Sequence, residues 1–168
     1  EQNLEVDALC FESDFYDADK AKSSTAELGI KLHTLNIREE MLKLVKNPPH
    51  GYGKNMNPCI DCHGLMFKIA GEYAREHGFD FIATGEVIGQ RPFSQNKDAL
   101  LEVEKLAGVP VLRPLCAKRL PETQMEKDGL VIRGKLKNLS GRGREGQLEL
   151  VERYKIKNFP SPAGGCLL

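Results

Sequence analysis

The sequence predicts an α/β fold, a three-layer α/β/α arrangement around a mainly parallel sheet, and three observations carry that prediction. Short apolar or β-branched runs alternate with longer amphipathic stretches, as buried parallel strands and their covering helices do. Most of the amphipathic stretches close at a glycine, and one closes before a proline pair. The polar Thr84-Gly85-Glu86 follows the third apolar run, where a parallel sheet presents ligands at the carboxyl ends of its strands.

The first strand is expected over Val6 to Phe11, inside LEVDALCF. It begins almost at the first residue with nothing ahead to pack beside it, so the chain reads as a piece of something longer. A helix over Asp19 to Leu28 ends at Gly29, a strand follows over Lys31 to Leu35, and a second helix runs from Arg38 to Val45. Asn47-Pro48-Pro49 stops it and opens NPPHGYGKNMNP, whose Gly, Pro and Asn content marks a long surface loop. The third helix is expected over His63 to His77, with Leu65, Met66, Ile69, Ala70, Tyr73 and Ala74 forming its core face and Gly78 its stop. Strands over Phe79 to Thr84 and Val109 to Leu112 flank a helix from Gln95 to Leu106, which closes at Gly108. Beyond Pro114 the pattern weakens to a short helix over Pro121 to Lys127, a strand or turn over Leu130 to Ile132, and a helix over Glu145 to Tyr154. Residues 1–168 are thus expected to form one unit, with 115–168 as a small C-terminal appendage.

The 168 residues carry 24 basic and 24 acidic side chains, so a polyanion site must come from local clustering of charge. No apolar run is long enough to cross a membrane, and the first residues lack the regions of a signal peptide, which predicts a cytoplasmic protein with no membrane partner. Five cysteines at irregular positions do not form a disulfide framework.

Cys59 and Cys62 stand at the head of the third helix, where free amides and the helix dipole favour thiolate and lower a cysteine pKa. The pair is open to three readings: a structural metal clip, a redox pair, or part of a reaction centre. A zinc site would draw on Cys59, Cys62, His63, His50 and Cys166. Cys166 follows Gly164-Gly165, which lets backbone approach a bound group closely. Three thiolates also suit a [4Fe-4S] cluster that leaves one iron open. Cys10 and Cys116 read as core or incidental. The run RGKLKNLSGRGR holds Arg133, Lys135, Lys137, Arg142 and Arg144 without an acid, and is either a solvated face or a contact for phosphates of RNA or nucleotide. In GEVIGQRPFSQNKDAL, Gln90, Arg91, Ser94, Gln95 and Lys97 gather polar groups where a ligand is expected; the neutral alternative is a loop capped into a helix by Ser94.

Asn57-Pro58-Cys59-x-x-Cys62-His63, Ala83-Thr84-Gly85-Glu86, Leu112-Arg113-Pro114-Leu115 with Lys118, and Pro162-Ala163-Gly164-Gly165-Cys166 resemble the PP-loop ATPases that thiolate tRNA. The likeness is to the branch of tRNA-specific 2-thiouridylases and 4-thiouridine synthetases. The resemblance implies an adenine nucleotide α-hydrolase fold, ATP with Mg2+ adenylating a uridine oxygen, tRNA as partner, and sulfur delivered from sulfide or a persulfide carrier. It implies Cys59 and Cys166 as paired catalytic cysteines and Cys62 as the third thiolate of members that bind a [4Fe-4S] cluster; zinc remains the alternative. Ala83, Thr84, Gly85, Gln90 and Arg91 fall on the nucleotide side. The family's Ser-Gly-Gly-x-Asp-Ser phosphate loop has no counterpart in this sequence, so truncation and weak nucleotide binding are expected. Two rivals stay open: a non-catalytic metal- or RNA-binding module, and an enzyme activating a small molecule.

Overall fold

The computed structural model describes residues 2–53, 56–159 and 166–168. Parallel strands joined by helical crossovers make it an α/β fold. β1 (Ala8–Glu12) pairs in parallel with β2 (Leu32–Asn36), Ala8 opposite Leu32 and Glu12 opposite Asn36, and α1 (Asp19–Leu28) is the crossover. Gly29 closes α1 at φ 65°, a left-handed position that glycine takes without a Cβ clash. α2 (Arg38–Lys46) and α3 (Cys59–Glu76) follow. β3 (Ile82–Ala83) pairs in parallel with β4 (Val111–Leu112) across α4 (Lys97–Ala107), and the Thr84 amide extends the ladder to the Leu112 carbonyl at 2.9 Å.

Among the described residues the ladders form two separate pairs, β1-β2 and β3-β4, where the sequence predicts one sheet. β3 is also shorter than predicted, because the Phe79 amide bonds to the Ala74 carbonyl at 2.8 Å and Gly78 turns at φ 76°. That backbone caps α3 and cannot also join a ladder. α3 spans the two pairs. Its Tyr73 hydroxyl meets His33 Nδ1 of β2 at 2.7 Å, while its small residues face α4.

α3 begins at Cys59, a turn earlier than the apolar periodicity marks, so both cysteines lie inside its first turn. α4 begins at Lys97, not Gln95. Asn96 caps it, accepting from the Ala99 amide at 2.9 Å, and Ser94 stays out of the cap. In the C-terminal part, a 3₁₀ turn at Ala117–Arg119, α5 (Gln124–Lys127), a 3₁₀ turn at Arg133–Lys135 and α6 (Glu145–Arg153) occur. Leu130 to Ile132 is a turn and not a strand. Leu112, Ala117, Met125, Val131 and Leu136 share one apolar cluster with Phe81, so this region packs on the carboxyl end of β4. No described helix is long and apolar enough to cross a membrane.

Candidate functional site

Four segments meet at the carboxyl ends of the strands. The first is the turn after β1, where the Ser13 amide bonds to the Tyr16 carbonyl at 3.0 Å. The second is the start of α3, seated on the fully buried Pro58, whose carbonyl accepts from the Cys62 amide at 2.8 Å. The third is the loop after β3, folded tightly by bonds from the Gly89 amide to the Gln95 carbonyl (2.6 Å) and from the Gln95 amide to the Arg91 carbonyl (2.9 Å). The fourth is the chain end, where the Leu167 amide bonds to the Phe15 carbonyl at 3.1 Å.

This last bond holds Cys166 within electrostatic range of the other two thiols. Cys166 is exposed, Cys59 half-buried and Cys62 buried, and the charge of a Cys166 thiolate is felt at both neighbours. The helix start favours thiolate, but the outcome is the reverse of the sequence expectation. Burial pushes the Cys62 thiol up to about 12, helped by Cys166 and Cys59 and opposed by a Tyr16 contact. Burial and then Cys166 also push Cys59 up, while Arg91, its own amide and the Ser94 hydroxyl pull it down. Desolvation of an anion outweighs a half-charge at a helix end. Tyr16 itself is pushed up, chiefly by burial, and its hydroxyl sits beside Cys62 with no hydrogen bond of good geometry.

Beside the thiols lies a buried charge network that periodicity gave no means to find. Arg113, 2% exposed, donates through Nε to Glu86 at 3.0 Å, through one terminal nitrogen to Glu104 at 2.8 Å and through the other to the Leu100 carbonyl at 3.1 Å. Glu86 also meets His63 Nδ1 at 2.9 Å. Burial raises the Glu86 carboxyl, but the His63 bond and charge together with the Arg113 guanidinium hold it below its usual range. His50 is likewise engaged, its Nδ1 2.7 Å from Asp61 and its Nε2 3.7 Å from Glu102. Both imidazoles of the zinc reading are therefore paired with carboxylates. Among the described residues no group of three His, Cys, Asp or Glu side chains is gathered closely enough to hold a metal ion. In kind and number, Cys59, Cys62 and Cys166 still suit an iron–sulfur cluster.

On the nucleotide side, Ala83 and Gly85 are exposed at the end of β3, Thr84 and Gln90 are half-buried, and Arg91 is exposed. A Cβ built on Gly85 meets nothing within 4 Å, which leaves open space over the backbone there. Ser94 and Gln95 are buried, and Gln95 Oε1 has no partner. Of the other cysteines, Cys116 is buried with its thiol donating to the Glu86 carbonyl at 3.3 Å, and Cys10 is half-buried on β1. The basic run divides. Arg133 is committed to Glu126 at 2.7 Å and to the Ala117 and Leu120 carbonyls at 3.0 Å each. Lys135 and Arg142 are exposed, Lys137 is half-buried, and Arg144 Nε is buried without a partner. Pro162 to Gly165, which lead into Cys166, fall outside the described residues.

Residues 4–122 match the family model described as Thiamine biosynthesis protein (ThiI). A probable tRNA sulfurtransferase of Caldanaerobacter subterraneus subsp. tengcongensis is 28% identical over 123 residues, 68% of this chain and 31% of that protein. One of Agathobacter rectalis is 30% identical over 121 residues, 67% of this chain and 29% of that protein. A tRNA-specific 2-thiouridylase MnmA of Sulfurimonas denitrificans is 36% identical over 73 residues, 41% of this chain and 21% of that protein. The chain thus spans between 21% and 31% of the length of these curated relatives. The family match runs through the cysteine turn of α3, the loop after β3 and the buried Arg113, and by that match the chain belongs to the Thiamine biosynthesis protein (ThiI) family.

Proposed function

We propose that the chain is part of a cytoplasmic tRNA-modifying sulfurtransferase that activates a uridine carbonyl with ATP and Mg2+ and replaces its oxygen by sulfur. In this reading residues 1–168 belong to one PP-loop-ATPase-like domain of that enzyme, whose phosphate loop they do not include, with 115–168 as its appendage. The carbonyl oxygen attacks the α-phosphorus of ATP and pyrophosphate leaves; sulfur then attacks the activated carbon and AMP leaves with the oxygen. Adenylation is needed because a carbonyl oxygen is otherwise a poor leaving group.

Ala83, Thr84 and Gly85 would offer the strand end to adenosine, with the open space over Gly85 admitting close approach. Gln90 and Arg91 would face the transferred group. Arg91 favours a sulfur anion at Cys59, and the Ser94 hydroxyl helps hold it. Cys166 is the second sulfur. With sulfide as donor no redox partner is needed; with a persulfide on one thiol, the other closes a disulfide as the terminal sulfur departs. Cys59, Cys62 and Cys166 would hold an iron–sulfur cluster, which when bound would offer an open iron to sulfide.

What supports the reading above all is the bond of the Leu167 amide to the Phe15 carbonyl on the turn after β1, which keeps Cys166 within electrostatic range of Cys59 and Cys62 in a chain of this family. Nucleoside analysis of tRNA from a strain lacking the gene tests it. Loss of a thiouridine, restored by the parent gene and not by Cys59→Ser or Cys166→Ser, is expected; unchanged thiouridine in the deletion removes the proposal.

A further inference from the structure

We propose that a basic groove on the C-terminal part of the chain, walled by Lys118, Lys135, Lys137, Asn138 and Arg153, binds the phosphodiester backbone of RNA. The groove measures about 480 Å3, and among the described residues its lining holds four cations and no carboxylate. In a chain of zero net charge that is a local concentration of one sign, which is what a polyanion requires. The cations come from three places: the 3₁₀ turn at Ala117–Arg119, the segment around Lys135–Asn138, and the last turn of α6. A merely solvated run of lysines would not draw Lys118 and Arg153 to the same concavity.

The groove is built, not draped. Lys118 Nζ donates to the Gly134 carbonyl at 2.8 Å, which fixes the ammonium on the wall and leaves two of its three N–H donors for a ligand. The backbone beneath is pinned by four bonds: the Lys118 amide to the Lys137 carbonyl (3.1 Å), the Lys137 amide to Pro114 (2.8 Å), the Leu139 amide to Leu115 (2.9 Å) and the Gly141 amide to Ile88 (2.8 Å). The last bond joins this segment to the loop that carries Gln90, Arg91 and Ser94. Gly89 and Gly141 approach so closely there that a Cβ on Gly89 would stand 3.3 Å from the Gly141 nitrogen. Hydrogen-bonded backbone segments therefore connect the groove to the loop that carries Arg91 and Ser94, and a polymer could extend from one to the other where a small anion would fill only one.

Among the described residues no aromatic side chain lines the groove, which favours contact with phosphates over bases. The choice of RNA over other polyanions rests on the proposed tRNA substrate. Arg133, the first cation of the basic run, has no part in it, since its guanidinium is spent on Glu126 and two carbonyls.

Fluorescence anisotropy of labelled tRNA with the whole 168-residue chain, from about 50 to about 200 mM salt, tests the groove. Lys118→Glu with Lys137→Glu should weaken binding on the order of tenfold and reduce the log–log salt slope by about 2, about 1 for each lost phosphate contact. Lys118→Arg with Lys137→Arg should bind as the parent does. Lys43→Glu with Lys68→Glu, an equal change of charge on α2 and α3, should leave the slope unaltered. The proposal is overturned if the groove variant keeps the parent's affinity and slope, if the α2 and α3 variant loses as much, or if polyglutamate binds as tightly as tRNA. The two proposals fail separately. Groove variants that bind normally while the deletion strain loses thiouridine sink the groove alone, and the converse pattern sinks thiolation alone.

Discussion

Cys62 lies in the first turn of a helix, yet its surroundings keep it protonated. At pH 8 a thiol near 12 is ionised in about one molecule in ten thousand, and only the thiolate is alkylated. In the reduced, metal-free protein, iodoacetamide at pH 8 should therefore modify the exposed Cys166 first, Cys59 more slowly and Cys62 last. The Cys62 rate should still rise about tenfold per pH unit above 9, because its thiol stays protonated beyond the ordinary value. Peptide mapping by mass spectrometry reads the order, and early modification of Cys62 would contradict it. The sign for stability follows. Below pH 9 both folded and unfolded chains hold this proton and nothing is lost; between 9 and about 12 the unfolded chain releases it first, so stability falls as pH rises. Glu86 works in the opposite direction, since its lowered pKa contributes stability that disappears as pH falls through that value. The spacing of Cys59 and Cys62 was legible in the sequence. Their ionisation was not, because desolvation depends on what the rest of the chain places around a sulfur.

At the scale of the element, α3 carries two glycines that a helix would not choose for propensity. A Cβ at Gly71 would lie 2.7 Å from Val109 Cγ1, and one at Gly64 would lie 2.9 Å from Leu106 Cβ. The helix approaches α4 and the start of the β4 segment closely because these positions are bare. Replacing Gly71 by Ala gains up to about 1 kcal/mol of helix propensity. Overpacking a tight contact costs about 1–3 kcal/mol, and the branched Val109 has little room to retreat. The clash should win, so Gly71→Ala is expected to lower the melting temperature, and a rise on thermal unfolding would refute that account. The helix itself was readable from Leu65, Met66, Ile69, Ala70, Tyr73 and Ala74. Its true start at Cys59 was not, since the first turn is anchored by the Pro58 carbonyl and carries no apolar repeat.

At the scale of the molecule, the C-terminal segment is carried back across α1. Glu27 accepts from the Lys157 amide at 2.8 Å and from the Asn158 side chain at 2.7 Å, and the chain end then docks on Phe15. Glu27→Ala should lower the yield of short bismaleimide crosslinks from Cys166 to Cys59 or Cys62 while leaving the melting temperature nearly unaltered, as surface changes usually do. An unchanged crosslink yield would mean that the Phe15 contact alone holds the end. The sequence by itself determined the α/β class, the order of strands and helices, and the thiols as chemical candidates, because these rest on local periodicity, glycine stops and residue type. Tertiary structure alone decided that the strands pair as two ladders, that Arg133 bonds to Glu126 and two carbonyls, that Glu86, Arg113 and His63 share a buried network, and that the cysteine at position 166 stands within electrostatic range of those at positions 59 and 62. Those outcomes depend on burial and on contacts between residues far apart in the chain, and no local pattern encodes either.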